Sequence, residues 1–321
     1  MSQKVTYVTS ADRMDEVHRE LDAAIDRVRG RFGETHPMLI GGEPVMSNRT
    51  FADVSPIDTR IVLGHFQEGD GTQAEQAVAA ARSAFDTWSR LPWRDRVAAM
   101  RRLAEAIRGD RWDLSALMGF ECGKNRMECI GDVEESADLI DYYCDQVEHA
   151  DGFVRAMQPL GPSEQNTSVL RPYGVWAVIS PFNFPLALAA GPAGAALVAG
   201  NTVVIKPAST TPWVALQFVE LARDAGLPPG VLNLVTGGGA TVGQALIDHL
   251  EVNGIVFTGS KDVGLKILRN NAARPAPRPV ITEMGGKNPA IVMRFVFSTS
   301  CCTNASRTSR CTRMREQAEH F

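Results

Sequence analysis

The sequence predicts an α/β protein: a parallel sheet covered by helices on both faces, preceded by a mostly helical N-terminal region. Three observations carry that expectation. From about Tyr173 onward, short apolar runs alternate with helix-length segments, the pattern of βαβ units and so of a parallel sheet. Those runs are almost unbroken Val, Ile and Leu, as strands buried on both faces require. No Asp, Glu, Lys or Arg occurs from Pro172 to Ile205, which marks that stretch as interior.

Taken in order, the elements follow from periodicity and punctuation. Met14, Val17, Leu21, Ile25 and Val28 recur at helical spacing, and Gly30 stops the run. Short strands are expected at Leu39 and Ile40 and over 61–63. Thr72 and Glu75 form a capping box ahead of Ala77, Val78, Ala81 and Phe85. Val97, Met100, Leu103 and Ile107 make the next stripe, closed by Gly109, and Ile130, Val133, Ala137, Ile140 and Cys144 another. Beyond these the expected order is strand Val175–Ile179, helix 185–198, strand 203–205, helix 213–225, strand 231–235, helix 241–250, strand 255–257 and helix 262–271. Strands around 280–282 and 290–292 come last.

The charge-free stretch raises the question of a membrane span, which needs ~20 apolar residues in one helix. Pro181, Asn183, Pro185 and Pro192 interrupt it, and Gly200 and Asn201 close it with turn chemistry, so a buried strand–helix–strand unit is expected. At 321 residues with a net charge of −4 and 22% charged residues, the chain has no general attraction to nucleic acid or anionic membrane. Its start carries charges where a signal peptide needs an apolar core, so a cytoplasmic location is expected.

Ligands bind such sheets at the carboxyl ends of the strands. Three places qualify: Ser180-Pro181-Phe182-Asn183 after the first strand, Lys206 directly off the second, and Thr258-Gly259-Ser260 after the fourth. A Gly-Ser helix start presents backbone N–H groups and a positive dipole end to a phosphate. There is no G-x-G-x-x-G; the run 237–243 comes near it with different spacing. Each group also has a plainer reading: Asn183 as a turn residue, Lys206 as a solvated strand-end charge, Gly259-Ser260 as a capping turn. Their equivalent positions at neighbouring strand ends favour a nucleotide, with its identity open.

The motifs PFNFP, GNTVVIKPASTTP, GLPPGVLNLVTGGG, FTGS and EMGGKNP resemble, in order and spacing, those of the aldehyde dehydrogenase superfamily. ECGKN at 121–125 and DVEESADLIDYY at 132–143 fit as well. HPMLIGGE, IKPASTTP and EMGGKN are most similar to the L-glutamate γ-semialdehyde (1-pyrroline-5-carboxylate) dehydrogenases of proline catabolism. The resemblance implies a Rossmann-like NAD-binding domain and a role for each matching residue. Asn183 would be the oxyanion-hole amide and Glu283 the general base that activates water. Lys206 would bind the adenosine ribose. Ser209 stands where many members carry a glutamate on that ribose, and being neutral it leaves NADP open beside NAD. Gly259 and Ser260 match the pyrophosphate turn, Gly239 and Gly243 the adenine side. Ser180, Pro181, Phe182, Thr258, Val263, Met284 and Gly285 complete the implied cofactor contacts, with no metal.

The implied chemistry is thiolate attack on an aldehyde, hydride transfer to nicotinamide and hydrolysis of the acyl-enzyme. The family's nucleophilic cysteine lies roughly three dozen residues beyond the glutamate, in a G-Q-x-C context. That point falls near Gln317, where the chain reads Arg-Glu-Gln-Ala-Glu. Cys301, Cys302 and Cys311 come too early and lack the context. Residues 294–321 hold five Arg, four Ser, four Thr and three Cys, with no Gly, Pro, Leu or Lys. A reading-frame shift after codon 293 accounts for that change of composition, with a divergent extension as the alternative. A zinc site from Cys301, Cys302, Cys311 and His320 is disfavoured, because adjacent cysteines suit tetrahedral ligation poorly. Cys122, Cys129 and Cys144 are expected to be reduced thiols within helices.

The expected organisation is therefore an N-terminal helical part (1–150), a segment resembling an oligomerisation hairpin (151–172), a nucleotide-binding core (173–279), the start of a catalytic domain (280–293), and a tail unlike the family (294–321). The resemblance implies a full-length homo-oligomer that oxidises L-glutamate γ-semialdehyde to glutamate, the present chain being inactive alone. A non-catalytic NAD-binding fragment or an unstable pseudogene product is the alternative. Partners are then a small aldehyde, no nucleic acid and no membrane. The strands without their catalytic domain, and the hairpin without its partner strand, are expected to leave open edges.

Overall fold

The computed structural model describes residues 11–287 and 289. Helix α1 (Ala11–Arg29) buries Val17, Leu21, Ala24 and Val28, and the chain turns at Gly30. Strands β1 (Glu34–His36), β2 (Met38–Ile40) and β3 (Glu43–Val45) follow, then the antiparallel pair β4 (Thr50–Val54) and β5 (Val62–Gln67). Four helices come next: α2 (Gly71–Arg90), α3 (Trp93–Gly109), α4 (Arg111–Cys122) and α5 (Arg126–His149). A two-stranded antiparallel ribbon, β6 (Val154–Met157) and β7 (Asn166–Val169), leads into β8 (Val175–Ile179), α6 (Ala187–Val198), β9 (Thr202–Lys206), α7 (Pro212–Asp224) and β10 (Leu232–Leu234). A π turn over Gly239–Gly243 runs into α8 (Gln244–Asp248). β11 (Val252–Thr258), α9 (Lys261–Ala272) and β12 (Val280–Glu283) complete the order.

The main sheet has seven strands in the order β12-β11-β8-β9-β10-β2-β3. The five from β12 to β10 run parallel, and β2 and β3 add an antiparallel edge. Its two faces divide residue by residue, as the period of a strand demands. Val178, Val203, Ile205, Leu232 and Leu234 pack with α3 to α7 on one side. Val175, Ala177, Val204, Ile255 and Phe257 pack with Ala74, Ala77, Val78 and Ala81 of α2 and Val242, Leu246 and Ile267 on the other. Both faces are thus covered, as the unbroken apolar strands required. The charge-free stretch forms β8, α6 and β9 in this interior, and among the described residues no helix is long and apolar enough to cross a membrane.

Several local expectations are corrected. The capping box of α2 is Asp70 with Gln73, not Thr72 with Glu75. Asp70 Oδ1 accepts from the Thr72 N–H at 2.7 Å, and Gln73 Oε1 from the Asp70 N–H at 2.9 Å; Glu75 instead meets His249 Nε2 at 2.9 Å. A second box, Asn125 with Glu128, starts α5 and was not foreseen. Ser260 occupies the N-cap position of α9, but its side chain makes no capping bond. The helix expected over 241–250 begins as a π turn and ends at Asp248, leaving Leu250 exposed. Helix α4 was missed because Leu114, Ala116, Leu117, Met118 and Phe120 are buried around most of its circumference, which erases the amphipathic period. The strand expected around 280–282 is present as β12, the parallel edge strand of the main sheet. The strand expected over 290–292, and the tail with Cys301, Cys302, Cys311 and His320, lie outside the described residues.

Candidate functional site

The parallel register aligns the carboxyl ends of four neighbouring strands. Ile179 pairs with Lys206 on one side and with Phe257 on the other, and Thr258 pairs with Glu283. At about 4.8 Å per strand, these ends span roughly 14 Å. The chain reverses its direction of travel across the sheet at β8: β9 and β10 lie to one side, β11 and β12 to the other. That makes a topological switch point, where open α/β sheets form a crevice.

Along this edge the sequence-nominated residues fall into two groups. Ser180, Lys206 and Gly243 are buried. The Ser180 N–H donates to the Lys206 carbonyl at 3.1 Å, while Ser180 Oγ has no hydrogen-bond partner among the described residues. Lys206 is 6% exposed and its Nζ donates to the Pro207 carbonyl at 2.8 Å. Burial pushes its ammonium down to about 8, and no carboxylate among the described residues pairs with it. A buried cation without a counter-charge is an unfinished polar arrangement that an anion would complete, and the Ser180 hydroxyl at the end of the neighbouring strand is a separate one. Gly243 packs against the Lys206 stem: a Cβ there would lie 4.0 Å from Lys206 Cδ and 3.9 Å from the Gly238 carbonyl, ordinary van der Waals contact.

The second group is more open. Phe182 and Asn183 are exposed, Pro181 is half-buried, and the Asn183 amide makes no hydrogen bond among the described residues. Ser209 is exposed and donates to the Gly237 carbonyl at 3.3 Å. Nothing lies within 4 Å of a Cβ built on Gly239 or Gly285. Thr258 and Gly259 are half-buried, and the Gly259 N–H donates to the Glu283 carbonyl at 3.1 Å, locking the two strand ends together. Val263 lies exposed on the first turn of α9. Met284 lies against Gly264, where an added Cβ would be 2.5 Å from its sulfur. The donors and open backbone suit a dinucleotide: a cation for ribose or phosphate, a helix start with an uncommitted Ser260 hydroxyl, and glycines without neighbours. Among the described residues no cluster of His, Cys, Asp and Glu is arranged to hold a metal.

Sequence reasoning missed the residues behind these loops. Glu121, fully buried, accepts the Trp213 and Val214 N–H groups at 2.6 and 2.9 Å. Asp132, also buried, accepts from Lys124 Nζ at 2.7 Å and from the Ala187 N–H at 2.9 Å. The cysteines described are free thiols; burial pushes Cys129 and Cys144 up to about 12, and Cys122 higher still, which favours the protonated thiol over the thiolate.

Comparison with known proteins bears on this arrangement. The model described as "Aldehyde dehydrogenase family" matches residues 45–305, running on past Met293. The 1-pyrroline-5-carboxylate dehydrogenase of Geobacillus thermodenitrificans is 41% identical over 276 residues, 84% of this chain and 53% of that protein. That of Geobacillus kaustophilus is 40% identical over 299 residues, covering 91% and 57%. The chain therefore spans about half the length of the curated relatives it matches. Among solved structures, 1-pyrroline-5-carboxylate dehydrogenase from Thermus with bound NAD superposes with a TM-score of 0.83 at 33% identity, covering 89% of this chain and 56% of that one.

Proposed function

Since the chain belongs to the aldehyde dehydrogenase family, we propose that it is the nucleotide-binding half of an enzyme oxidising L-glutamate γ-semialdehyde, the open form of 1-pyrroline-5-carboxylate, to glutamate. The observation that carries the reading is the row of strand ends bearing Glu283, Thr258, Ser180 and Lys206 at the switch point. In this reading Lys206 and Ser209 grip the adenosine ribose, and Gly239 and Gly243 leave room on the adenine side. Thr258, Gly259, Ser260 and Val263 offer the first turn of α9 to the pyrophosphate. Ser180, Pro181, Phe182, Met284 and Gly285 line the path toward the reacting end.

NAD, when bound, supplies the acceptor for the aldehyde's hydride, and NADP remains compatible with a neutral Ser209. Asn183 donates its amide to the aldehyde oxygen as charge builds there. Glu283 takes a proton from the water that releases the acid. The attacking thiolate has no counterpart in the described residues, and in the sequence no cysteine stands at the expected place near Gln317. The chain alone therefore binds nucleotide without turning over aldehyde.

Titration calorimetry with NAD and with NADP, beside an aldehyde-dependent NADH assay, tests this. Saturable binding with no absorbance rise at 340 nm is expected. Absence of binding by either nucleotide defeats the reading. Turnover abolished by Cys301→Ala or Cys302→Ala would defeat its inactive-alone part.

A further inference from the structure

The last turn of α4, with the link that joins it to α5, reaches both loops that carry the proposed ligands. On one side, Glu121 accepts the Trp213 and Val214 N–H groups at 2.6 and 2.9 Å, fixing the start of α7. The loop 206–211, with Lys206 and Ser209, runs directly into that helix start. On the other side, the Cys122 thiol donates to the Phe182 carbonyl at 3.3 Å. Lys124 Nζ stands 3.6 Å from the centroid of the Phe184 ring and bonds Asp132 Oδ2 at 2.7 Å. Asp132 Oδ1 in turn accepts the Ala187 N–H at 2.9 Å, the first residue of α6. Asn183 thus sits between two neighbours, Phe182 and Phe184, each held from the same turn.

A buried ion pair stabilises a fold no better than a well-packed apolar pair of equal volume. The Lys124–Asp132 pair, with side-chain exposures of 12% and 0%, is therefore not accounted for by stability alone. What it provides is direction. An ammonium and a carboxylate fix the ring of Phe184 and the amide of Ala187 in space, which methyl groups cannot do. Glu121 does the same for α7 through two backbone donors at once, a geometry a neutral side chain with one acceptor oxygen cannot reproduce.

We infer that Glu121, Cys122 and Lys124 of this turn, with Asp132, are positioning residues that set the Asn183 loop and the Lys206 loop in register with each other. This rests on the nucleotide-binding reading above and assigns the residues that pre-form its site. They touch neither substrate nor cofactor and act through the two loops.

The test uses the full chain and two independent readouts. Lys124→Met/Asp132→Leu replaces the ion pair by an apolar pair of similar size. Its melting temperature is expected to stay near that of the parent, while amide hydrogen exchange over residues 182–187 rises about tenfold and NAD affinity by calorimetry falls about tenfold. Glu121→Gln, which keeps shape but gives up one acceptor oxygen, is expected to weaken NAD binding severalfold with residues 182–187 unchanged. Should the double variant not fold, Asp132→Asn carries the same exchange and affinity test, since it keeps an acceptor for Ala187 and loses only the ion pair. Parent-like exchange and affinity in a folded variant overturn the inference. If the parent chain binds no NAD, the nucleotide reading fails, while the exchange measurement, made without nucleotide, still decides whether the turn holds the loop.

Discussion

Lys206 has its charge raised in energy by burial and, among the described residues, is answered only by a backbone carbonyl. A bound dinucleotide, which carries negative charge, favours the protonated amine, so binding and proton uptake are linked. Lys206 free titrates near 8; NAD affinity is expected to hold below that pH and to decline as pH rises through it. Lys206→Met removes both a charge-assisted hydrogen bond and the pH dependence. The expected loss is about 1.5–3 kcal/mol in binding, tenfold or more, read by calorimetry at pH 7 and pH 9. A variant as pH-sensitive as the parent would assign the titration elsewhere. Asp53 and Glu121 make the opposite case. Both are buried: loss of water holds Asp53 up to about 7, and loss of water together with the neighbouring Asp53 carboxyl holds Glu121 well above its usual range. Glu121 spends both oxygens on backbone N–H groups, and the pair as a unit retains a proton in the folded chain. The folded chain keeps a proton that the unfolded chain releases near pH 4, so this pair's stabilisation is present at low pH and is lost as pH rises. His36 works in the other direction: burial pushes it down to about 4, and its effect is confined below pH 6.5. With His36 neutral above pH 6.5, stability is therefore expected to fall as pH rises through 7, measured by urea unfolding at pH 6.5 and 8, and Asp53→Asn flattens that slope.

At the scale of elements, Asn201 shows how a turn residue can govern a sheet. It is buried between α6 and β9, its Oδ1 accepts from the Tyr173 and Gly174 N–H groups at 2.7 and 3.1 Å, and its Nδ2 donates to the Ala196 carbonyl at 3.1 Å. It ends a helix and starts β8 with one side chain. Asn201→Ala leaves two strand-entry amides without a partner and is expected to cost about 2–4 kcal/mol; the urea midpoint falls while the m-value stays unchanged. From sequence, Gly200 and Asn201 were legible only as turn chemistry. The central strands were legible because burial on both faces makes them continuous apolar runs, and the strand-end residues because fold class alone says where ligands go. Other elements left no local trace. β3 contains Pro44 and is three residues long, which reads as loop until an edge position is known. Asp132 and Glu121 act on partners 55 and 92 or 93 positions away, a separation that no spacing rule spans. Their functional signal was present, in ECGKN and DVEESADLIDYY, but as family likeness rather than chemistry.

At the scale of the molecule, the described chain carries more open strand edge and apolar surface than an isolated soluble unit tolerates well. Among the described residues β12 ends the main sheet with Ile281 57% exposed, and the β6–β7 ribbon has no further strand beside it. Around that ribbon Val154, Met157, Leu160, Leu170 and Tyr173 are all exposed, several large apolar side chains on or close in sequence to its two strands, whereas β12 offers a single one. An unpaired ribbon also presents backbone donors and acceptors that another chain can pair with. The chain is therefore expected to self-associate at tens of micromolar, its weight-average mass by light scattering rising with concentration. Met157→Lys/Leu170→Glu should lower that mass sharply, because it places charge on the ribbon without touching the core. Ile281→Lys should lower it less, since the β12 edge stays available to backbone pairing on a smaller surface. Both sites are exposed, so both variants should melt with the parent. A concentration-independent monomer would show that the ribbon is sticky only on paper, and a larger effect at Ile281 would move the association to the sheet edge. The ordering of the two variants thus tells whether the chain seeks a partner through its ribbon or through the β12 edge of its main sheet.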